Sequence, residues 1–101
     1  MSNYGMVGKL ITAPEDRDKL IDILTQAADG MQDLAGCHLY VVSKDAEDEG
    51  ALWVMELWES KQAHDDSLKL ESVRNLIGQA MPLLKGQPEG TTLIPVSGKG
   101  L

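Results

Sequence analysis

The chain has 101 residues with 9 basic and 16 acidic side chains and a net charge of −7, and at this length it is one domain that buries roughly 60–70% of its extended-chain surface. Excess negative charge repels phosphate backbones and anionic bilayers, so neither nucleic acid nor a membrane is an expected partner. Cys37 is the only cysteine, which excludes an intrachain disulfide and a multi-thiolate metal site and points to a reducing, cytoplasmic location.

The opening MSNYGMVGKLI alternates rather than running apolar, so no signal peptide or span is expected there. Residues 3–11 read as a first strand, with Tyr4, Met6, Gly8 and Leu10 on one face and Gly5, Val7, Lys9 and Ile11 on the other. Glycines inside a strand mark a bulge or a close approach. Thr12-Ala-Pro-Glu15 has the form of a capping box with proline in the first turn, so a helix should begin here. Its apolar stripe is Leu20, Ile23, Leu24, Ala27, Ala28 and Met31. Gly36 then closes it as a left-handed residue. Residues 37–44 form a second strand, and the acidic run 45–50 is a solvated connection into the third.

That third strand, LWVMELW over residues 52–58, decides the architecture. Leu52, Val54, Glu56 and Trp58 fall on one side and Trp53, Met55 and Leu57 on the other, so both faces read as buried. Such a strand lies mid-sheet with cover on each side, and a small chain gains its second cover by pairing with a copy of itself. Ser60 is a good cap for a short helix over 61–69, and Ser72 for another with the stripe Val73, Leu76, Ile77, Ala80, Met81 and Leu84. Regular helix should fail at the residue before Pro82. Residues 86–90 form a turn, and residues 91–96 form a last strand that Pro95 confines to an edge. The tail 97–101 is expected to be loose or laid across a second subunit. The order β-α-β-β-α-β is ferredoxin-like α+β: an antiparallel sheet with helices on one face. The bare apolar face calls for a homodimer with sheets packed face to face.

Several side chains could carry chemistry. His64 offers an imidazole, a group that can accept and return a proton near neutral pH; the plainer reading is a half-exposed helix residue beside Asp65. His38 sits beside Tyr40 on a strand, as a ligand contact or a hydrogen-bonded core group. Glu56 interrupts an apolar strand, and leaving a carboxylate buried and bare costs several kcal/mol. An ion pair with Lys9 or Arg74 would satisfy it, and proton handling is the other use. Trp53 and Trp58 supply flat surfaces that serve as core or as ligand platform. His64, Asp65 and Asp66 are adjacent on a helix, point about 100° apart and cannot converge on one ion, so no metal is expected.

These pieces together resemble the antibiotic biosynthesis monooxygenase family, small dimeric α+β barrels, over nearly the whole chain. The resemblance rests on the glycine-bearing first strand, on Gly36-Cys-His-Leu-Tyr40, and above all on Glu56-Leu-Trp58-Glu-Ser60 leading into the short helix. It implies a cavity between sheet and helices and an oxygenase that uses neither metal nor flavin. A phenolic substrate is deprotonated there, and its anion hands an electron to dioxygen. The protein's task is to bind a flat aromatic, stabilise its anion and exclude water. On that basis His64 is the expected base and Glu56 a second catalytic residue that orients a partner, with Trp58 and Tyr40 shaping the pocket and His38 and Ser67 also against the substrate. Quinol-oxidising relatives carry histidines where Ser67 and Ser72 stand here, and His64 lies one turn earlier on the neighbouring strip. A haem-degrading branch uses an asparagine, a tryptophan and a histidine at the places of Gly8, Ser67 and Ile77, so haem chemistry is not expected. The expected function is cofactor-independent monooxygenation of a small hydroquinone or polycyclic phenol by dioxygen. The alternative, from another class, is a non-catalytic ligand-binding or associative dimer that keeps the fold.

Overall fold

The computed structural model describes residues 2–101. Four strands, β1 (Tyr4–Ile11), β2 (Cys37–Lys44), β3 (Ala51–Trp58) and β4 (Glu89–Leu93), form one antiparallel sheet in the order β2-β3-β1-β4. Three helices, α1 (Arg17–Met31), α2 (Lys61–Ser67) and α3 (Glu71–Ala80), complete the ferredoxin-like arrangement. β3 and β1 are the inner strands, and their register sets Tyr4 opposite Trp58, Met6 opposite Glu56 and Gly8 opposite Val54.

The helices cover one face only. Leu20, Ala27 and Met31 of α1 are buried with Leu52, Val54 and Trp58 of β3, and full burial of each such side chain contributes about 1.5–3 kcal/mol. On the opposite face Met55 remains 42% exposed and Leu93 44%. Within one chain, therefore, β3 is covered on one side and open on the other. α3 has no buried residue at all: Val73, Leu76 and Ala80 are only half-buried and Ile77 is exposed.

Local departures from the sequence expectations have identifiable causes. Thr12 does not cap a helix. Its backbone N–H donates to the Gly50 carbonyl at 2.7 Å and its hydroxyl to the Ala13 carbonyl at 2.8 Å. The residue thus belongs to the end of the sheet, and α1 starts instead from a 3₁₀ turn over Pro14–Asp16. Gly50 has to be glycine at this junction, because a β-carbon there would lie 2.6 Å from the Thr12 carbonyl oxygen. Gly36 is not left-handed; its missing side chain lets α2 approach, and a β-carbon would sit 2.8 Å from that of Ala63. Ser60 does cap α2, its Oγ accepting from the Ala63 N–H at 3.1 Å. Ser72 does not cap α3, which begins at Glu71 with Leu70 in the cap position. Ser72 is already inside the helix because the chain leaves α2 through a tight turn in which the Leu70 N–H donates to the Ser67 carbonyl at 3.2 Å.

α3 gives way to a 3₁₀ turn at Met81, the residue before Pro82. β4 begins two residues earlier than the turn composition suggests and ends before Pro95. It pairs with β1 alone, with Lys9 opposite Glu89 and Gly5 opposite Leu93. β2 and β3 are tied at their connection, where the Trp53 Nε1–H donates to Asp45 Oδ2 at 2.9 Å. That bond, with the Glu47 and Asp48 amides on the other oxygen, holds the Asp45 carboxyl down at about 2.

Candidate active site

Between the sheet and the helices lies a cavity of about 120 Å³. Its walls are the unfilled apolar stripes of two helices: Ile23, Leu24, Ala27 and Met31 from α1, and Val73, Leu76, Ile77 and Ala80 from α3. Its polar lining comes from Tyr40 on β2, Glu56 on β3, and His64 and Ser67 on α2. Tyr40 and Glu56 are opposed in the β2–β3 register and so point into the cavity from the same face.

Glu56 is held from below. The Trp58 Nε1–H donates to Glu56 Oε1 at 3.0 Å, a bond between same-face neighbours two residues apart on β3. Trp58 is 1% exposed and does not line the cavity; it supports the carboxylate instead of presenting a platform to a ligand. The expected ion pair of Glu56 with Lys9 or Arg74 is not formed. Lys9 lies on the opposite face of the sheet with its Nζ 5.7 Å from the Trp53 ring centroid, and Arg74 is exposed on α3.

His64 Nε2 stands 4.0 Å from the same Glu56 Oε1. That separation is too long for a direct hydrogen bond, yet a hydroxyl oxygen placed between the two atoms lies about 2.8 Å from each and can donate its one proton to either. The imidazole is fixed by its surroundings: Nδ1 is 3.0 Å from Asp65 Oδ1, the Trp58 ring meets it edge-on at 5.5 Å, and the Tyr4 ring lies 5.2 Å away. Ser67 is buried and its hydroxyl donates to the His64 carbonyl at 2.6 Å, which closes the end of α2.

Burial, then the Glu56 carboxylate, then Cys37 push the Tyr40 phenol far above the ordinary tyrosine range. Burial and Glu56 likewise raise the Cys37 thiol. The Tyr40 phenol therefore keeps its proton at neutral pH. The folded state retains a proton that the unfolded chain releases above pH ~10, so stability falls as pH rises past that point, by up to about 1.4 kcal/mol per pH unit. A Tyr40→Phe variant should match the native chain in near-ultraviolet tyrosinate absorbance until unfolding begins, and should lose less stability at alkaline pH. Early extra absorbance in the native chain would show that Tyr40 ionises while folded.

His38 lies outside this cavity. A register shift between Cys37 and Leu39 turns it outward on β2, where it is exposed with its Nδ1 2.6 Å from the Ser2 hydroxyl. It borders a separate surface depression that shares only Met31 and Tyr40 with the main cavity. Of the side chains singled out from sequence, then, Tyr40, Glu56, His64 and Ser67 converge, Trp58 supports them, and His38 stands apart. Sequence reading missed Tyr4 as a neighbour of the imidazole, and it placed Asp65 beside His64 without the bond to Nδ1. For Glu56 and Trp58 the signal was present, since i and i+2 on a strand share a face. Among the described residues, no three His, Cys, Asp or Glu side chains are grouped as a metal site, and no helix is long and apolar enough to cross a membrane.

The profile of the antibiotic biosynthesis monooxygenase family matches residues 3–79. The chain belongs to that family. A candidate antibiotic biosynthesis monooxygenase from Chloroflexus aurantiacus is 39% identical, with 96% of each chain covered and a TM-score of 0.85. Two more distant structures share the fold. Rv0793 from Mycobacterium tuberculosis is 23% identical over 97% of this chain and 99% of its own, with a TM-score of 0.86. A candidate monooxygenase of the same family from Caulobacter crescentus is 21% identical over 95% and 92%, with a TM-score of 0.89. No protein of curated function matches the sequence. Family membership thus fixes the fold and the general class, and the site residues of this member have to be argued from its own geometry.

Proposed function

We propose that this family member is a cofactor-free monooxygenase of a small, single-ring hydroquinone, acting as a homodimer in the cytoplasm. The observation that carries the reading is the 4.0 Å gap between His64 Nε2 and Glu56 Oε1 at the polar end of an otherwise apolar cavity. A substrate hydroxyl in that gap gives up its proton to the pair. The resulting anion is rich enough in electrons to reduce dioxygen, and the Tyr40 hydroxyl supports the anion by donation. One oxygen atom enters the ring and the other leaves as water, to which the held proton returns. Hydroquinone plus dioxygen gives hydroxyquinone plus water, with all four electrons drawn from the substrate.

Size selects among substrates. An apolar cavity of roughly 150 Å³ takes one benzene ring, so at about 120 Å³ this one admits a single ring only as its α3 wall yields, and a fused pair is too large. The half-buried stripe of α3 supports a bound apolar body, because a ring in the cavity would cover Val73, Leu76 and Ile77.

Oxygen uptake by the purified, metal-free protein tests this directly. Single-ring hydroquinones should be consumed faster than by buffer autoxidation, one dioxygen per substrate, and dihydroxynaphthalenes more slowly. No rate above autoxidation with any of them removes the enzyme reading. Quenching of tryptophan fluorescence by the same compounds without oxygen uptake would identify a binding protein instead.

A further inference from the structure

We infer that Asp65 is a positioning residue that decides which nitrogen of His64 faces the cavity, an inference that rests on the proton-accepting role given to His64 above. A neutral imidazole carries one proton, on Nδ1 or on Nε2, and only the unprotonated nitrogen can act as a base. Nδ1 is 3.0 Å from Asp65 Oδ1, and a carboxylate only accepts, so the proton belongs on Nδ1. Nε2, the nitrogen turned toward Glu56 and the cavity, is then left with its lone pair free.

The carboxylate is itself anchored. Lys61, one turn earlier on α2, places its Nζ 2.7 Å from Asp65 Oδ2, and the Lys61 and His64 contacts together hold the Asp65 carboxyl below its ordinary range. The charged and titratable groups that meet His64 are Asp65 from its own helix, Glu56 from β3 and Tyr4 from β1, with Tyr40 on the shared cavity wall. Glu56 alone would bias the ring the other way, since a carboxylate 4.0 Å from Nε2 favours a proton there. Asp65 is the nearer of the two, and its pull on Nδ1 prevails. The ring has the Tyr4 ring beside it at 5.2 Å and the Trp58 ring edge-on at 5.5 Å.

The test reads the ring without substrate. Nitrogen–proton correlation spectra of the free protein, at a pH where the imidazole is neutral and with His64 told from His38 by a His38→Gln variant, report which nitrogen is protonated. The native chain should show protonated Nδ1 and bare Nε2. Asp65→Asn should shift the population toward protonated Nε2 and lower kcat for hydroquinone about tenfold with little change in KM. A native imidazole protonated on Nε2, or a spectrum unaltered by Asp65→Asn, overturns the inference whatever the turnover. The expected spectra in a protein that oxidises no hydroquinone would leave the positioning intact and remove the oxygenase reading alone.

Discussion

Replacing Glu56 by Gln is expected to lower kcat for hydroquinone oxidation by roughly 10²–10⁴-fold, the usual range for a positioned proton acceptor. The substitution separates two roles. The amide oxygen can still accept from the Trp58 Nε1–H, now 3.0 Å from the carboxylate, so the buried indole keeps its partner and thermal stability should change little. What disappears is the negative charge facing His64 Nε2 across 4.0 Å. His64→Ala should cost a similar factor, and the double variant should be no worse than the more damaging single one, because the two side chains handle one proton as a unit. An unchanged rate in Glu56→Gln would reduce the carboxylate to a structural anchor for Trp58. A secondary effect checks the electrostatics: without the Glu56 charge, the second cause of the Tyr40 shift is gone, so the alkaline stability loss should end at a lower pH and be smaller in total.

The residues that sequence alone placed well are those whose partners lie close along the chain or repeat with a regular period. The strand expected directly after Gly36 has its observed bounds as β2, and the stripe from Leu20 to Met31 found the buried side of α1. Ser60 could be recognised as a cap because its acceptor role needs only the amide three residues on. Thr12 carried the same signature and failed, since the competing Gly50 carbonyl arrives from the far end of the β2–β3 connection. Glu56 shows the same limit in the site. The need for a partner was legible from the cost of a bare carboxylate, but the choice was not: Lys9 is in register with Trp53 and therefore faces the other side of the sheet. Tyr4 was invisible as a neighbour of His64, because only the β1–β3 pairing brings its ring beside α2. The cavity itself has no local signal. A stripe such as Val73, Leu76 and Ile77 reads as core whether it meets other side chains or the space a ligand would fill.

Substituting Met55 by Lys should convert a homodimer into monomers. The face of the sheet away from the helices carries Val7, Leu39, Val41, Met55, Leu57 and Leu93, with Met55 42% exposed near its middle. Its two charged residues, Lys9 and Glu89, stand opposite each other in the β1–β4 register, with the Lys9 Nζ over Trp53. A lysine at 55 has no such partner. Two-fold symmetry brings both copies of a substitution into one interface, and a charge buried there unpaired costs about 3–5 kcal/mol, worth about two to four decades in Kd. Sedimentation should therefore show dimers of the native chain at micromolar concentration and monomers of Met55→Lys, with far-ultraviolet circular dichroism unchanged because residue 55 is not part of the protomer core. A native chain that sediments as a monomer, or a variant that stays dimeric, rules out association through this face. In the proposed dimer the same strand would serve both assembly and chemistry: Met55 and Leu57 lie on the open face, while Glu56 and Trp58 lie on the face of the cavity. Releasing the partner sheet frees β3 on one side, so turnover per protomer should fall as the dimer dissociates on dilution.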